Sequence, residues 1–368
     1  MALKTEKDVT EFVRDAYQAN CKLRIVGGGT RQALGNPCKS NAVLSTAGLK
    51  GISLYEPSAL TIVARAGTPL AEIEETLMSE GQRLPFEPMD HRGLLGSSGT
   101  STIGGVVACN ISGPARIQAG ACRDSLIGMR MVDGTGRVIK NGGRVMKNVT
   151  GYDLVKLLAG SYGTLGLLTE VAFKVLPAPE ASATVTMTGL SDTQAVQVMS
   201  QGLTAPYDVN GAAHMDGITM VRVEGFKASV SYRAEQLQKL FSAFGKTSVL
   251  TDSTIWQSVR DVAPFHGIDT DVWRISVMPS DGSKIADTLR QIESNIQVIY
   301  DWGGGLLWVS APANMNVRAA LSGFSGTAEC IRGTGQKIAP QNAVIATIER
   351  NLRAKFDPKG ILNAGIMS

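Results

Sequence analysis

From position 99 to position 166 the chain carries glycine at 99, 104, 105, 113, 120, 128, 142, 143, 151, 160, 163 and 166. This is too dense for helix or strand interiors, where each glycine costs about 0.5–1 kcal/mol relative to alanine. Glycines in such numbers serve backbone shape. Without a Cβ they allow positive φ and let a ligand lie directly on main-chain N–H groups, which suits a phosphate or a flat ring system. The stretch therefore directs attention to a large anionic cofactor.

A second cluster lies upstream. The β-type run Leu23-Arg24-Ile25-Val26 ends abruptly in Gly27-Gly28-Gly29-Thr30. Consecutive amides in such a loop form an anion nest, to which Thr30 adds a hydroxyl. A tight surface turn explains a lone triple glycine equally well. Spacing rejects two familiar loops. The dinucleotide fingerprint needs glycine where Gln32 stands, and the Walker pattern ending in Gly245-Lys246-Thr247 needs glycine where Leu240 stands.

Composition narrows the class further. A chain of 368 residues suits two domains, and 43% hydrophobic with 18% charged residues is ordinary for a globular enzyme. The net charge of +4 comes without a basic run, which gives no support to nucleic-acid binding. The charged N-terminus lacks a secretory signal and no apolar run is long enough for a membrane span, so the expected location is cytoplasmic. Cys21, Cys38, Cys109, Cys122 and Cys330 are scattered without a CxxC, which indicates neither a disulfide framework nor an iron–sulfur ligand set.

The periodicity predicts a helix over 6–20, strands at 23–26, 42–44, 51–55 and 61–64, and a helix starting at Thr68-Pro69 with Thr68 as N-cap. The carboxylates Glu72, Glu74 and Glu75 on that helix read as a solvated face. A short helix at 102–108 would present its first amides to a ligand. A hairpin is expected across 125–140, a helix at 153–158 and a strand at 167–175. After Pro177 and Pro179 glycine thins out. Strands are expected at 183–188, 218–223, 228–232, 272–277 and 306–310, and helices at 193–200, 235–244, 255–262 and 283–292, giving an α+β region with a mainly antiparallel sheet. A last helix at 342–356 carries Ile345, Ile348, Leu352 and Phe356 in one apolar stripe.

The ordered set Ile25-Val26-Gly27-Gly28-Gly29-Thr30, Thr102-Ile103-Gly104-Gly105, Gly120-Ala121-Cys122-Arg123-Asp124, Gly142 through Leu154 (GGRVMKNVTGYDL), Gly163-Thr164-Leu165-Gly166 and Phe356 through Asn363 resembles the vanillyl-alcohol-oxidase, or PCMH-type, FAD-binding family. Within it the chain is most similar to the FAD-binding E subunits of bacterial glycolate oxidase. The resemblance implies a two-subdomain FAD-binding domain at 1–176, an α+β cap domain at 182–340 and a C-terminal segment, 341–368, returning to the flavin domain. It implies that Gly27, Gly28, Gly29 and Thr30 cradle the FAD pyrophosphate, and that Pro88, Thr102, Gly104, Gly105, Asn110, Gly113, Gly120, Gly166 and Leu168 line the rest of the cofactor. Some relatives tether flavin through a histidine in the first loop; Thr30 stands there, so the implied FAD is non-covalent, with Cys122 a minor candidate for a covalent link.

The departures matter as much. Hydroxy-acid dehydrogenases of this family carry histidines in two cap segments, where this chain reads Tyr300-Asp301-Trp302-Gly303-Gly304-Gly305 and Cys330-Ile331-Arg332-Gly333. His91, His214 and His266 are isolated and read as structural, no metal site is indicated, and no catalytic residue is assigned. Arg332 could bind a carboxylate but cannot act as a base. The implied function is the FAD-binding subunit of a glycolate, or 2-hydroxy acid, oxidase complex. Its implied partners are a homologous catalytic flavin subunit and an iron–sulfur subunit, with membrane attachment peripheral and only through those partners. A non-redox scaffold and a self-sufficient FAD oxidase of another substrate are the competing readings.

Overall fold

The computed structural model describes residues 3–143, 151–339 and 341–367; of the motif at 142–154, residues 144–150 lie outside the described residues. The first helix, Glu6–Gln18, begins at a capping box in which the Thr5 hydroxyl accepts the Asp8 N–H and the Asp8 carboxylate accepts the Thr5 N–H. Its buried Val9, Val13 and Ala16 pack on Leu23, Leu44, Leu49, Ile361 and Leu362. Strand Leu23–Val26 pairs in parallel with Ala42–Ser45, and Leu23 also bridges Leu362. The C-terminal end is thereby fixed beside the strand that feeds the first glycine loop.

Five antiparallel strands form the next sheet, in the order Ile52–Glu56, Thr61–Arg65, Leu167–Lys174, Leu126–Val132, Val138–Gly142. Ile62, Met129, Met131, Val171 and Phe173 share a core with Ile73 and Leu77 of helix Leu70–Ser79 and with Val106 and Val107 of helix Ile103–Ala108. Two helix starts differ from expectation. Pro69, not Thr68, is the N-cap of Leu70–Ser79, because the buried Thr68 hydroxyl exchanges hydrogen bonds with the backbone of Gly51 at 3.0 and 3.1 Å. In helix Ile103–Ala108 the Ile103 and Gly104 amides donate to the Thr68 and Ala66 carbonyls, so these two do not face a ligand.

A larger sheet of eight antiparallel strands follows, in the order Thr247–Leu250, Ala181–Thr188, Ile218–Gly225, Val209–Met215, Gln297–Asp301, Leu306–Ala311, Asp271–Val277, Gly326–Arg332. Strand alternation gives it two faces. Ala212, Tyr300, Leu307 and Val309 pack with Ile285 and Leu289 of helix Pro279–Ile292. Ala213, Ile299, Leu306 and Trp308 pack with Leu34, Met89 and Leu94 from the N-terminal half. One of the two cavities described below lies along this second face.

The expected strand at 228–232 is instead part of helix Lys227–Phe241. Its Ala-Ser-Val-Ser-Tyr alternation imitates a strand, but Val230, Ala234, Leu237 and Phe241 recur at helical spacing and bury one face. The last helix, Ala343–Phe356, buries no residue: Leu352 and Phe356 lean on the core while Val344, Ile345 and Ile348 stay exposed.

Candidate functional site

The first glycine loop opens onto a cleft of about 870 Å³. Its wall draws on the 24–32 loop, on Thr46 and Ala66, on Thr102, Gly104 and Gly105 at the short helix, on Gly163, Gly166, Leu167 and Leu168 at the start of the central strand, and on Asn363 from the C-terminal end. Asn363 is a clamp. Its side chain accepts the Ile25 N–H at 2.7 Å and donates to the Tyr162 carbonyl at 2.6 Å, joining three of those segments.

The loop needs glycine because a second backbone lies against it. A Cβ on Gly28 would stand 1.5 Å from the Thr100 carbonyl oxygen, one on Gly27 would stand 2.4 Å from the Thr102 hydroxyl, and Gly29 sits at φ +84°. Among the described residues no acceptor is hydrogen-bonded to the Gly29, Thr30 or Arg31 amides. Arg31 is the residue that sequence reasoning missed. Its guanidinium donates to Met89 O at 3.0 Å, Ser101 Oγ at 2.9 Å, His91 Nδ1 at 3.3 Å and Thr30 Oγ1 at 3.4 Å, all neutral. No carboxylate of the described residues pairs with it. A cation held inside a cleft by neutral groups, beside free amides, is a place for an anion. No motif marks Arg31, since Met89, His91 and Ser101 reach it from across the chain.

A second cavity of about 960 Å³ lies between the small helices of the N-terminal half and the inner face of the eight-stranded sheet. Leu34, Cys109 and Tyr162 line both spaces, so the two adjoin. Arg116, Arg123 and Arg274 line it, with Glu329 as the one carboxylate among its lining residues. Trp302 forms a plate in its wall, only 6% exposed, with the Arg116 guanidinium 4.6 Å and the Arg274 guanidinium 5.3 Å from its ring centre. The backbone N–H of Trp302 donates to the Asp301 carboxylate at 2.7 Å, and the indole Nε1–H donates to the Gly113 carbonyl at 3.1 Å, which holds the ring. Burial pushes the Asp301 carboxyl up to about 7, against the Trp302 hydrogen bond, which favours its charged form.

Of the residues named from sequence, Gly27, Gly28, Gly29, Thr30, Thr102, Gly104, Gly105, Gly166 and Leu168 share the first cleft. Asn110 lines the second cavity. Pro88, Gly113 and Gly120 line neither: Pro88 and Gly113 are buried, a Cβ on Gly113 would meet the Glu87 carbonyl at 2.3 Å, and Gly120 turns the chain at φ +85°.

The histidines separate. His91 lines the second cavity, where burial and then Arg31 push its imidazole down to about 3. His214 is buried in the sheet with Nδ1 2.8 Å from the Thr219 hydroxyl, and His266 packs over Gly93 with Nε2 2.7 Å from the Asp261 carbonyl. Cys122 lies in the sheet core, its thiol pushed up by burial, and lines neither cavity. Arg332 also points elsewhere. Its Nε donates to the Thr270 carbonyl and its Nη1 to the Leu94 and Phe265 carbonyls, its buried Nη2 has no partner among the described residues, and Arg332 lines neither cavity.

A family model described as an FAD binding domain matches residues 1–142. The chain is 34% identical over 359 residues to glycolate oxidase subunit GlcE of Escherichia coli (strain K12), covering 97% of this chain and 95% of the relative. Glycolate oxidase subunit GlcD of Bacillus subtilis (strain 168) is 26% identical over 73% of this chain and 52% of its own. The mitochondrial D-2-hydroxyglutarate dehydrogenase of Rattus norvegicus is 29% identical over 48% of this chain and 32% of its own. Among solved structures, alkyldihydroxyacetonephosphate synthase shares the fold with a TM-score of 0.72 at 16% identity, over 99% of this chain and 76% of that one. With a glycine-walled cleft and an alignment that runs nearly end to end, the chain belongs to the GlcE family of FAD-binding oxidoreductases.

Proposed function

We propose that the chain is the FAD-binding subunit of a glycolate, or 2-hydroxy acid, oxidase complex, working with a homologous catalytic flavin subunit and an iron–sulfur subunit. In this reading residues 1–176 and 341–368 hold the flavin and residues 182–340 cover it. The observation that carries it is the first cleft, where the free amides of the 29–31 turn and the carboxylate-free Arg31 adjoin a glycine wall, in a chain aligned with a glycolate oxidase subunit over 97% of its length. These residues fit a flavin dinucleotide. Gly27, Gly28, Gly29, Thr30 and Arg31 would hold the pyrophosphate. Thr102, Gly104, Gly105, Gly166 and Leu168 would line the cofactor's length, with Asn110 at the junction to the second cavity, while Pro88, Gly113 and Gly120 support the wall behind.

Bound FAD supplies a two-electron acceptor. The protein's part is to place it and to keep the second cavity beside it. Neither the Cys122 position nor Thr30 offers a covalent link, so the flavin is held non-covalently. The chain has no cluster-binding cysteine spacing, and no helix among the described residues is long and apolar enough to cross a membrane; electrons therefore leave through partner subunits, which also supply any attachment to the inner face of the plasma membrane.

Two measurements test this. Acid precipitation of the purified yellow protein should release its flavin to the supernatant. Gentle affinity purification from native cells should recover a second flavoprotein and an iron–sulfur protein. Recovery of this chain alone, turning over a 2-hydroxy acid by itself, would refute the subunit reading in favour of a self-sufficient oxidase.

A further inference from the structure

We propose that strand Thr247–Leu250, at the open edge of the eight-stranded sheet, pairs antiparallel with the same strand of a second copy of this chain, with Val249 on the two-fold axis. The inference is independent of the flavin reading. The strand pairs with Ala181–Thr188 in an unbroken register, Leu250 opposite Thr184, Val249 opposite Val185, Ser248 opposite Thr186 and Thr247 opposite Met187. No strand of the described residues lies on its other side. Ser248, Val249 and Leu250 are exposed, the last two by 39% and 40%. Native sheet edges are ordinarily protected by a charge, a proline, a bulge or a covering segment. The opposite edge of this sheet is covered in that way, since the Cys330 N–H donates to the Lys337 carbonyl at 2.9 Å. Thr-Ser-Val-Leu carries none of these devices, so its open backbone groups are a template for another strand.

The flanking charges select a second copy as the occupant. Lys246 precedes the strand and Asp252 follows it, both exposed, and Lys246 has no ion-pair partner among the described residues. Hydrogen bonds from the Thr254 hydroxyl at 2.6 Å and the Thr254 N–H at 2.9 Å hold the Asp252 carboxyl below its usual value and keep it charged. With Val249 opposite its own copy, Ser248 faces Leu250, Thr247 faces Thr251 and Lys246 faces Asp252 of the second chain, and the two-fold axis makes each of these pairs twice. β-Branched pairs, Thr–Thr pairs and opposite charges are the cross-strand neighbours that stabilise a sheet. A slip of one residue moves Lys246 onto Thr251 or Ser253 and loses both charge pairs, and a parallel arrangement sets Lys246 beside its own copy. A ribbon spanning 246–252 falls below the roughly 1,200 Å² of a standard interface, so the dimer forms reversibly as concentration rises.

Sedimentation of the purified protein over a concentration series should show its mass rise from that of one chain, 38.9 kDa, toward that of two. Lys246→Glu and Asp252→Lys should each weaken association by about tenfold, because each turns two attractive pairs into two repulsive ones. The double variant should recover the affinity, which general damage to the fold does not allow. Val249→Cys treated with diamide, which takes up two protons and two electrons from the paired thiols, should give a disulfide-linked dimer above the background set by the native cysteines of the wild type. Ser248→Cys should not, because its copies stand diagonally, beyond the roughly 7 Å Cα separation that a disulfide tolerates. A single-chain mass at every concentration, no recovery in the double variant, or equal cross-linking through Ser248→Cys would each overturn the assignment. So would cross-linking of Val249→Cys, in complexes purified from native cells, to a different protein in place of a second copy, which gives this edge to another subunit.

Discussion

Replacing Arg31 by methionine separates a residue that serves the fold from one that serves a ligand. The guanidinium bonds only neutral acceptors, Met89 O, Ser101 Oγ, His91 Nδ1 and Thr30 Oγ1, and burial draws its pKa below the usual guanidinium value. In the flavin-free protein Arg31→Met gives up those bonds but also relieves an unpaired cation, so net stability should move by no more than about 1 kcal/mol. In the flavin-bound protein the same change removes a charge-assisted bond to phosphate, about 1.5–3 kcal/mol, equivalent to roughly 10- to 150-fold in dissociation constant. Titrating apoprotein with FAD and following the quenching of flavin fluorescence measures the second; chemical unfolding of the apoprotein measures the first. His91 gives an internal check, since removal of the nearby cation should raise its depressed pKa in a proton NMR titration. An FAD affinity within twofold of wild type, with a large loss of apoprotein stability, would show Arg31 to be a structural tie and refute the reasoning.

Three other outcomes follow from the geometry. Gly28→Val should lose the flavin and much of the fold around the loop, because its Cβ would lie 1.5 Å from the Thr100 carbonyl oxygen; full flavin content in a stable Gly28→Val protein refutes the packing. Asp301 is raised from 3.8 to about 7, so the folded state holds a proton that the unfolded state has released; its contribution is complete below pH 4 and is lost as pH rises to 7, by about 4 kcal/mol in all. Asp301→Asn should accordingly melt above wild type at pH 8, with the gap closing toward pH 4, and a gap that widens on acidification contradicts the sign. Finally, the flavin-loaded subunit mixed anaerobically with glycolate should bleach far more slowly than the whole complex turns over, by at least about 10²-fold, and rapid full bleaching refutes this and makes Glu329 and His91 of the second cavity the candidate bases.

What could be read from the chain alone depended on how local its cause was. Gly29 and its neighbours announce themselves because positive φ and backbone crowding demand a residue type that sequence displays. The hairpin Leu126–Val132 with Val138–Gly142 was equally visible, its strands separated by Asp-Gly-Thr-Gly. Strands Val209–Met215 and Gly326–Arg332 were missed, since Asn-Gly-Ala-Ala-His and Thr-Ala-Glu-Cys carry little strand propensity and gain their place from neighbours in the eight-stranded sheet. Arg31, Arg116 and Arg274 were illegible for the same reason. Their meaning lies in which groups fail to pair with them, and that is decided by chain segments up to hundreds of residues away.

The two cavities together divide binding from proton removal. Oxidising an alcohol carbon requires hydride departure to an acceptor and loss of the hydroxyl proton to a base. In the proposed reading the first cleft provides for the acceptor. Beside it the second cavity is lined by guanidiniums that cannot take a proton, an imidazole pushed to about 3, and a Tyr162 phenol that burial holds protonated. Glu329, the remaining ionisable acid of the lining, faces Arg274 at 3.8 Å. A lining of this composition is poor in groups that take a proton at neutral pH, which agrees with the proposed reading of a subunit whose substrate is oxidised in a neighbouring one. Glu329→Gln should leave the slow glycolate reaction of the isolated subunit slow, whereas a true base at that position would make the same variant lose a fast reaction.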